Sequence, residues 1–172
     1  IRGVLKNVRK AGFSRDCVYL SVSKGIEIGS LKRISEVIHE ELGNIKLGVL
    51  SGPTIVQEVI KGKPATAIIA SRNKELAKFL QDIFMSGSFR IYTSADVVGV
   101  ELGGSLKNVI AIACGISDGL SLGTNIKAAL LARGLAEISR LGVKMGAKAK
   151  TFSGLSGLGD LVTTCISKQS RN

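Results

Sequence analysis

Tryptophan is absent from this 172-residue chain, histidine occurs once, proline twice and cysteine three times. Each scarcity closes a class of function. The single histidine, His39, sits among Val37, Ile38 and two glutamates in a different helix from Cys165, so a Cys-His nucleophile pair is a poor reading. It reads instead as a helix-surface residue near a helix C-terminus, where positive charge is tolerated. Cys17, Cys114 and Cys165 are widely separated and odd in number, without the spacing of a zinc site or a disulfide framework. Reduced, packed thiols in a cytoplasmic protein without a metal are expected. Acidic residues are also few, 13 against 24 lysines and arginines, which leaves a formal charge of +11. A nucleic-acid surface would concentrate that charge on one face and interleave aromatic rings. Here the cations are scattered over every segment and only two tyrosines and five phenylalanines are present, so no specific nucleic acid is expected. Apolar runs all break before the roughly 18 to 20 residues a membrane helix needs, and no signal peptide precedes them, so the chain reads as soluble.

What is present is a 45% apolar composition, enough for a substantial core. Ile1, Val4, Leu5 and Val8 recur at helical spacing up to Gly12, and with neither cap nor initiator methionine before them the chain is expected to enter partway through a helix. Four short apolar strands are predicted at 17–22, 46–50, 65–70 and 89–93. Helices are predicted between them: one capped by Ser30, carrying Leu31, Ile34, Val37, Ile38 and Leu42 and closed by Gly43; one over 55–61; and one over 74–85 packing Leu76, Phe79, Leu80 and Ile83. Alternating strands and helices predict an α/β sheet with some parallel pairing. From Ala95 onward only helical periodicity remains, at about 96–116, at 125–141 closed by Gly142, and at 160–165. A domain boundary near Ser94 is expected, with residues 1–94 forming the sheet-containing part and 95–172 the helical part.

Three places suggest chemistry. Gly99, Gly103 and Lys107 are spaced i, i+4, i+8, a bare strip on one helix face with an ammonium at its end. Such a strip suits an anionic or carbonyl-bearing ligand; from this segment alone, packing of another helix with Lys107 snorkelling to water is the preferred account. The turns Lys24-Gly25 and Ser51-Gly52-Pro53-Thr54 follow the first two strands, where open α/β sheets bind ligands. Gly52 permits close approach to the main chain, and Thr54 either caps the next helix or donates to an anion. Residues 154–164 form a glycine-rich turn into a helix, with Asp160 at or near its N-cap and Thr164 on the same face. That turn matches neither a dinucleotide fingerprint nor a P-loop. The final Ser170-Arg171-Asn172 offers a planar cationic fork and an amide suited to phosphate.

Taken in order, Ser23-Lys24-Gly25, Ser51-Gly52-Pro53-Thr54, Gly103-Gly104-Ser105-Leu106-Lys107-Asn108-Val109, Ser117-Asp118-Gly119, Arg133-Gly134-Leu135-Ala136-Glu137, Gly157-Leu158-Gly159-Asp160-Leu161 and Ser170-Arg171-Asn172 closely resemble the NAD(P)-dependent glycerol-3-phosphate dehydrogenase family. The resemblance implies the C-terminal part of a Rossmann-type NAD(P)-binding domain, followed by a truncated all-α domain of the 6-phosphogluconate dehydrogenase C-terminal type. It implies a cytoplasmic oxidoreductase, or a plastid one if a transit peptide lies upstream, that interconverts dihydroxyacetone phosphate and glycerol 3-phosphate for phospholipid synthesis. The cofactor would be NAD or NADP, the partner a small-molecule substrate, and the assembly a homodimer. By resemblance Lys107 is the catalytic lysine, and Lys24, Gly52, Thr54, Lys107, Asn108, Asp160, Ser170, Arg171 and Asn172 line the substrate pocket. Lys24, Val56 and Arg171 reach the cofactor, with Val56 standing where the family commonly has alanine.

The Gly-x-Gly-x-x-Gly turn that seats the cofactor pyrophosphate is absent, as are the helices that complete the C-terminal domain. The 172 residues are therefore expected to lack turnover alone, the activity belonging to a longer parent. Two other readings share the same residues: a phosphorylated-metabolite binding protein without catalysis, and a related β-hydroxyacid dehydrogenase. The Ser-Arg-Asn ending and the Gly-Leu-Gly-Asp-Leu block favour the phosphate-ester enzyme.

Overall fold

A computed structural model describes residues 1–167; Ser170, Arg171 and Asn172 lie outside the described residues. The elements in chain order are α1 (Arg2–Lys10), β1 (Val18–Ser21), α2 (Ile34–Leu42), β2 (Lys46–Ser51), α3 (Val56–Ile60), β3 (Ala65–Ala70), α4 (Lys74–Phe84), β4 (Phe89–Ser94), α5 (Val97–Gly119), α6 (Thr124–Lys144), α7 (Ala149–Phe152) and α8 (Asp160–Ile166), with a single π-helical turn at Leu155–Gly159 before the last. The strands form one sheet in the order β1-β2-β3-β4, parallel at both outer pairs and antiparallel between β2 and β3.

Side-chain alternation along the strands divides the core. Ala67 and Ile69 of β3, with Ile91 of β4, pack on Leu80 of α4. Ile68 and Ala70 turn to the other face and meet Val97 and Val100 of α5. This two-residue period lets one strand hold a helix on each side. α1 and α2 enclose a separate cluster around Leu5, Val37, Ile38 and Leu42. Beyond Ser94 every described element is helical, and α5 is the common surface on which α6, α7, the π turn and α8 pack. By length and composition α5 is also apolar enough to cross a membrane, contrary to the expectation from apolar runs, but half of that window is buried here against protein.

Three sequence expectations are corrected. Ser30 does not cap α2. Residues 26–33 close as a turn, with Ile26 bridged to Arg33 and Leu31 at φ +56°, a left-handed conformation that no helix continues through. Arg33 is the N-cap, and its backbone N–H donates to the Glu36 carboxylate at 2.8 Å. In α4, Phe79 and Ile83 are 52% and 57% exposed, because only the stripe through Leu76, Ala77 and Leu80 meets the sheet. Finally, α6 does not stop at Gly142 but runs on to Lys144. A Cβ on Gly142 would lie 2.1 Å from Phe152 Cζ, so this glycine serves close packing of the fully buried Phe152 ring. The left-handed residue after the helix is Gly146.

Candidate active site

The parallel strands β1 and β2 end side by side, and the chain leaving them carries Lys24 and Gly52. Gly52 takes φ +141°, and its α-carbon lies so close to β3 that an added Cβ would stand 3.0 Å from Ala67 Cα. Only glycine fits that bend. The bend turns the Gly52 carbonyl toward Lys24, whose Nζ donates to it at 3.4 Å. From the opposite side, α5 is fixed at its start by Asp96, which accepts hydrogen bonds from Gly99 N–H, Lys148 N–H and the Thr151 hydroxyl. So anchored, the helix delivers Lys107 to α8, where Lys107 Nζ donates to Asp160 Oδ1 and, at 2.7 Å, to Thr164 Oγ1. Lys24 Nζ donates to the other carboxylate oxygen, Asp160 Oδ2, at 2.6 Å.

Two ammonium groups therefore share one carboxylate. Asp160 and Lys107 side chains are 4% and 10% exposed, whereas Lys24 is 29% exposed at the mouth. The cluster keeps an uncompensated positive charge where solvent screening is weak, so it favours an anion or an oxygen that gains negative charge. Burial pushes the Lys107 pKa down, and the neighbouring Lys24 charge adds to that, against the opposing pull of Asp160. An ammonium has three N–H donors; among the described residues, Asp160 and Thr164 take two from Lys107. Close by, the Ser51 hydroxyl is buried and has no hydrogen-bond partner among the described residues. It lies 2.6 Å from where a Cβ on Gly104 would stand, beside the Lys24 stem.

The structure decides several of the sequence alternatives. Lys107 does not snorkel to water; it is buried and paired. The glycine strip is no open seat for a ligand, because the chain itself fills it: a Cβ on Gly103 would stand 2.4 Å from the Ser156 carbonyl oxygen, and one on Gly99 2.3 Å from Asp96 Oδ2. Asp160 caps nothing, being the first residue of α8 with both oxygens turned to lysines. Thr54 reaches the Gly52 carbonyl at 3.5 Å, Val56 is exposed at the start of α3, and Asn108 is exposed on α5. His39 closes α2, its Nδ1 3.1 Å from the Gly43 carbonyl. Burial beside Cys114 pushes the Cys165 thiol up to about 12, so it stays protonated and unreactive.

Sequence reasoning missed a second buried pair. Arg33 donates to Glu101 Oε2, while Ser35 donates to Glu101 from its backbone N–H and its hydroxyl. This locks α2 onto α5 two turns before Lys107. Glu101 inside an apolar helix was the available signal, since a buried carboxylate needs partners.

Two family profiles match the chain: the NAD-dependent glycerol-3-phosphate dehydrogenase N-terminus over residues 1–77 and the C-terminus of the same family over residues 96–172. A protein of Clostridium perfringens named glycerol-3-phosphate dehydrogenase, NAD(P)+, is 51% identical over 172 residues, all of this chain and 52% of that one. A Fusobacterium nucleatum protein of the same name is 52% identical over 174 residues, again 52% of its length. Among solved structures, a glycerol-3-phosphate dehydrogenase from Coxiella burnetii superposes with a TM-score of 0.94 at 42% identity, covering 99% of this chain and 52% of that one. The chain thus spans about half the length of the relatives it matches.

Proposed function

Since the chain belongs to the NAD-dependent glycerol-3-phosphate dehydrogenase family, we propose that it carries the substrate side of an oxidoreductase that interconverts dihydroxyacetone phosphate and glycerol 3-phosphate in the cytoplasm, for phospholipid synthesis. The observation that carries the reading is the buried Lys107 ammonium, held by Asp160 and Thr164, which take two of its three donors among the described residues.

Reduction of a ketone places negative charge on its oxygen as hydride arrives at carbon. A fixed N–H aimed at that oxygen is worth more to the transition state than to the ground state. In this role Lys107 holds the proton that passes to the oxygen, and its lowered pKa eases the transfer. Asp160 and Thr164 fix the direction of the ammonium. Lys24, sharing Asp160 and partly open to solvent, faces the anionic substrate. Gly52, Thr54 and Asn108, with Ser170, Arg171 and Asn172, would bind substrate, a bidentate arginine gripping the phosphate so that the carbonyl is oriented.

Lys24 at the mouth, with Val56 and Arg171 assigned by the family resemblance, would also suit a nicotinamide dinucleotide. Lys24 offers a cation to its phosphates and exposed Val56 an apolar wall, with Arg171 as a further cation. NAD(P)H supplies the hydride when bound. The division into a cofactor part up to Ser94 and a helical part beyond belongs to this reading, as does a homodimeric assembly, which sedimentation would check.

The test is a chimera in which the 172 residues replace the matching segment of the Clostridium perfringens relative. Lys107→Ala should lower kcat for NADH-dependent reduction of dihydroxyacetone phosphate by about 10^2- to 10^4-fold, the usual worth of a positioned proton donor, with a far smaller change in KM. Unchanged turnover would refute the role. Binding of dihydroxyacetone phosphate by a chimera without turnover would favour the metabolite-binding reading.

A further inference from the structure

α5 supplies more to the site than Lys107. Two residues earlier, the half-buried Ser105 accepts a hydrogen bond from the Gly25 backbone N–H at 2.9 Å, and its oxygen lies 3.2 Å from the Gly25 carbonyl. The same hydroxyl is 2.7 Å from the Glu101 carbonyl one turn back in the helix. A hydroxyl has one hydrogen and two lone pairs. Its hydrogen goes to the nearer Glu101 carbonyl, which turns a lone pair toward the Gly25 N–H. Gly25 has φ +136° and directly follows Lys24, in a segment that belongs to no strand. Among the described residues the Gly25 N–H donates to no other acceptor. The other ties between this segment and α5 are apolar packing, of the lysine stem near Gly104 and of Ile26 in the cluster with Val98, Leu102 and Leu106, so this bond is the polar one that sets the backbone.

We propose that Ser105 is the positioning residue for Lys24: by clamping the Gly25 backbone to α5, it fixes the distance between the two lysines that flank Asp160. The role deepens the dehydrogenase reading and rests on it for its meaning in catalysis, but the clamp is a property of the chain alone. Glu101 extends the arrangement. Its carboxylate is held by Arg33 and Ser35 while its backbone carbonyl orients the Ser105 hydroxyl, so α2, the Lys24 turn and Lys107 are referred to one stretch of helix.

The experiment follows lysine reactivity in the 172-residue chain by mass spectrometry after brief reductive methylation. Ser105→Ala removes the acceptor, and Lys24 should then be modified several-fold faster, while exposed Lys78 is unchanged. Ser105→Thr keeps the hydroxyl and a helical back-bond, and should restore the wild-type rate. Equal Lys24 rates in wild type and Ser105→Ala would overturn the proposal, as would equal acceleration by alanine and threonine. Should Ser105→Ala not fold, hydrogen exchange of the wild-type chain decides: Gly25 N–H is expected to be protected, and exchange at the rate of a free loop amide would overturn the clamp. Dihydroxyacetone phosphate binding is measured on the same samples. Accelerated Lys24 modification without any binding would leave the clamp standing and count against the dehydrogenase reading.

Discussion

Asp160 is the residue on which the site's electrostatics turn, because among the described residues it alone compensates two ammonium groups. Asp160→Asn leaves both lysines without a counter-ion. Removing one partner from a buried pair costs about 3–5 kcal/mol, and the partial exposure of Lys24 points to the lower end, about 3 kcal/mol. Urea unfolding of the variant and wild type checks this, and a loss below about 1 kcal/mol would mean that the charges are not coupled as described. Lys107 gives a pH signature of its own. Its pKa is lowered from 10.5 on folding, so between the folded value and 10.5 the unfolded chain binds the extra proton. Stability from this group therefore rises with pH across that window. Lys107→Met should flatten the stability trend, as unfolding midpoints between pH 8 and 10.5 would show. Lys107 was legible in the sequence because its surrounding motif is specific. Ser105 and the Arg33–Glu101 pair were not, since their partners lie 66 to 80 residues away in sequence and only the fold brings them together.

Among the elements, α5 acts as a rod whose bare face is filled by backbone. The π turn at 155–159 rests on Gly103 and leads directly into the helix that carries Asp160 and Thr164. Gly103→Ala would push a methyl against the Ser156 carbonyl, an atom that moves only with its chain. The expected cost is about 1–3 kcal/mol from overpacking, together with loss of dihydroxyacetone phosphate affinity as α8 shifts. Calorimetric melting and a binding titration report the two separately; a stable variant with full affinity would show that the turn does not set the position of α8. The strands were readable because each is a short apolar run between turn residues, and β3 was predicted to the residue. The start of α2 was misread because a serine before an apolar run resembles a cap. At Gly142 a glycine resembled a stop, although its use was to admit Phe152. Local propensity cannot distinguish a glycine that ends a helix from one that makes room for a ring.

On the scale of the whole molecule, opposing charges join parts distant in sequence. Arg2 bonds Glu27, Glu40 and Glu41, tying α1 to α2 and to the turn before it. The Arg2 guanidinium, with help from Ser30, holds the Glu27 carboxyl down at about 2. Since that pKa is lowered from its usual 4.5, the stability it lends is full above about 4.5 and disappears as pH falls through about 2. Arg2→Ala should remove that part of the acid dependence, which unfolding midpoints between pH 2 and 5 would reveal. The central claim, however, joins two distant parts of the chain at one carboxylate: Lys24 from the first strand exit and Lys107 from α5 share Asp160 and, in the proposed function, meet the same substrate. The most direct measurement is a titration of the chain with dihydroxyacetone phosphate, observed through isotope-labelled lysine side chains. Lys24 and Lys107 should shift together and saturate at one concentration, while Lys78 stays still. Saturable binding that leaves Lys107 unmoved would contradict the account.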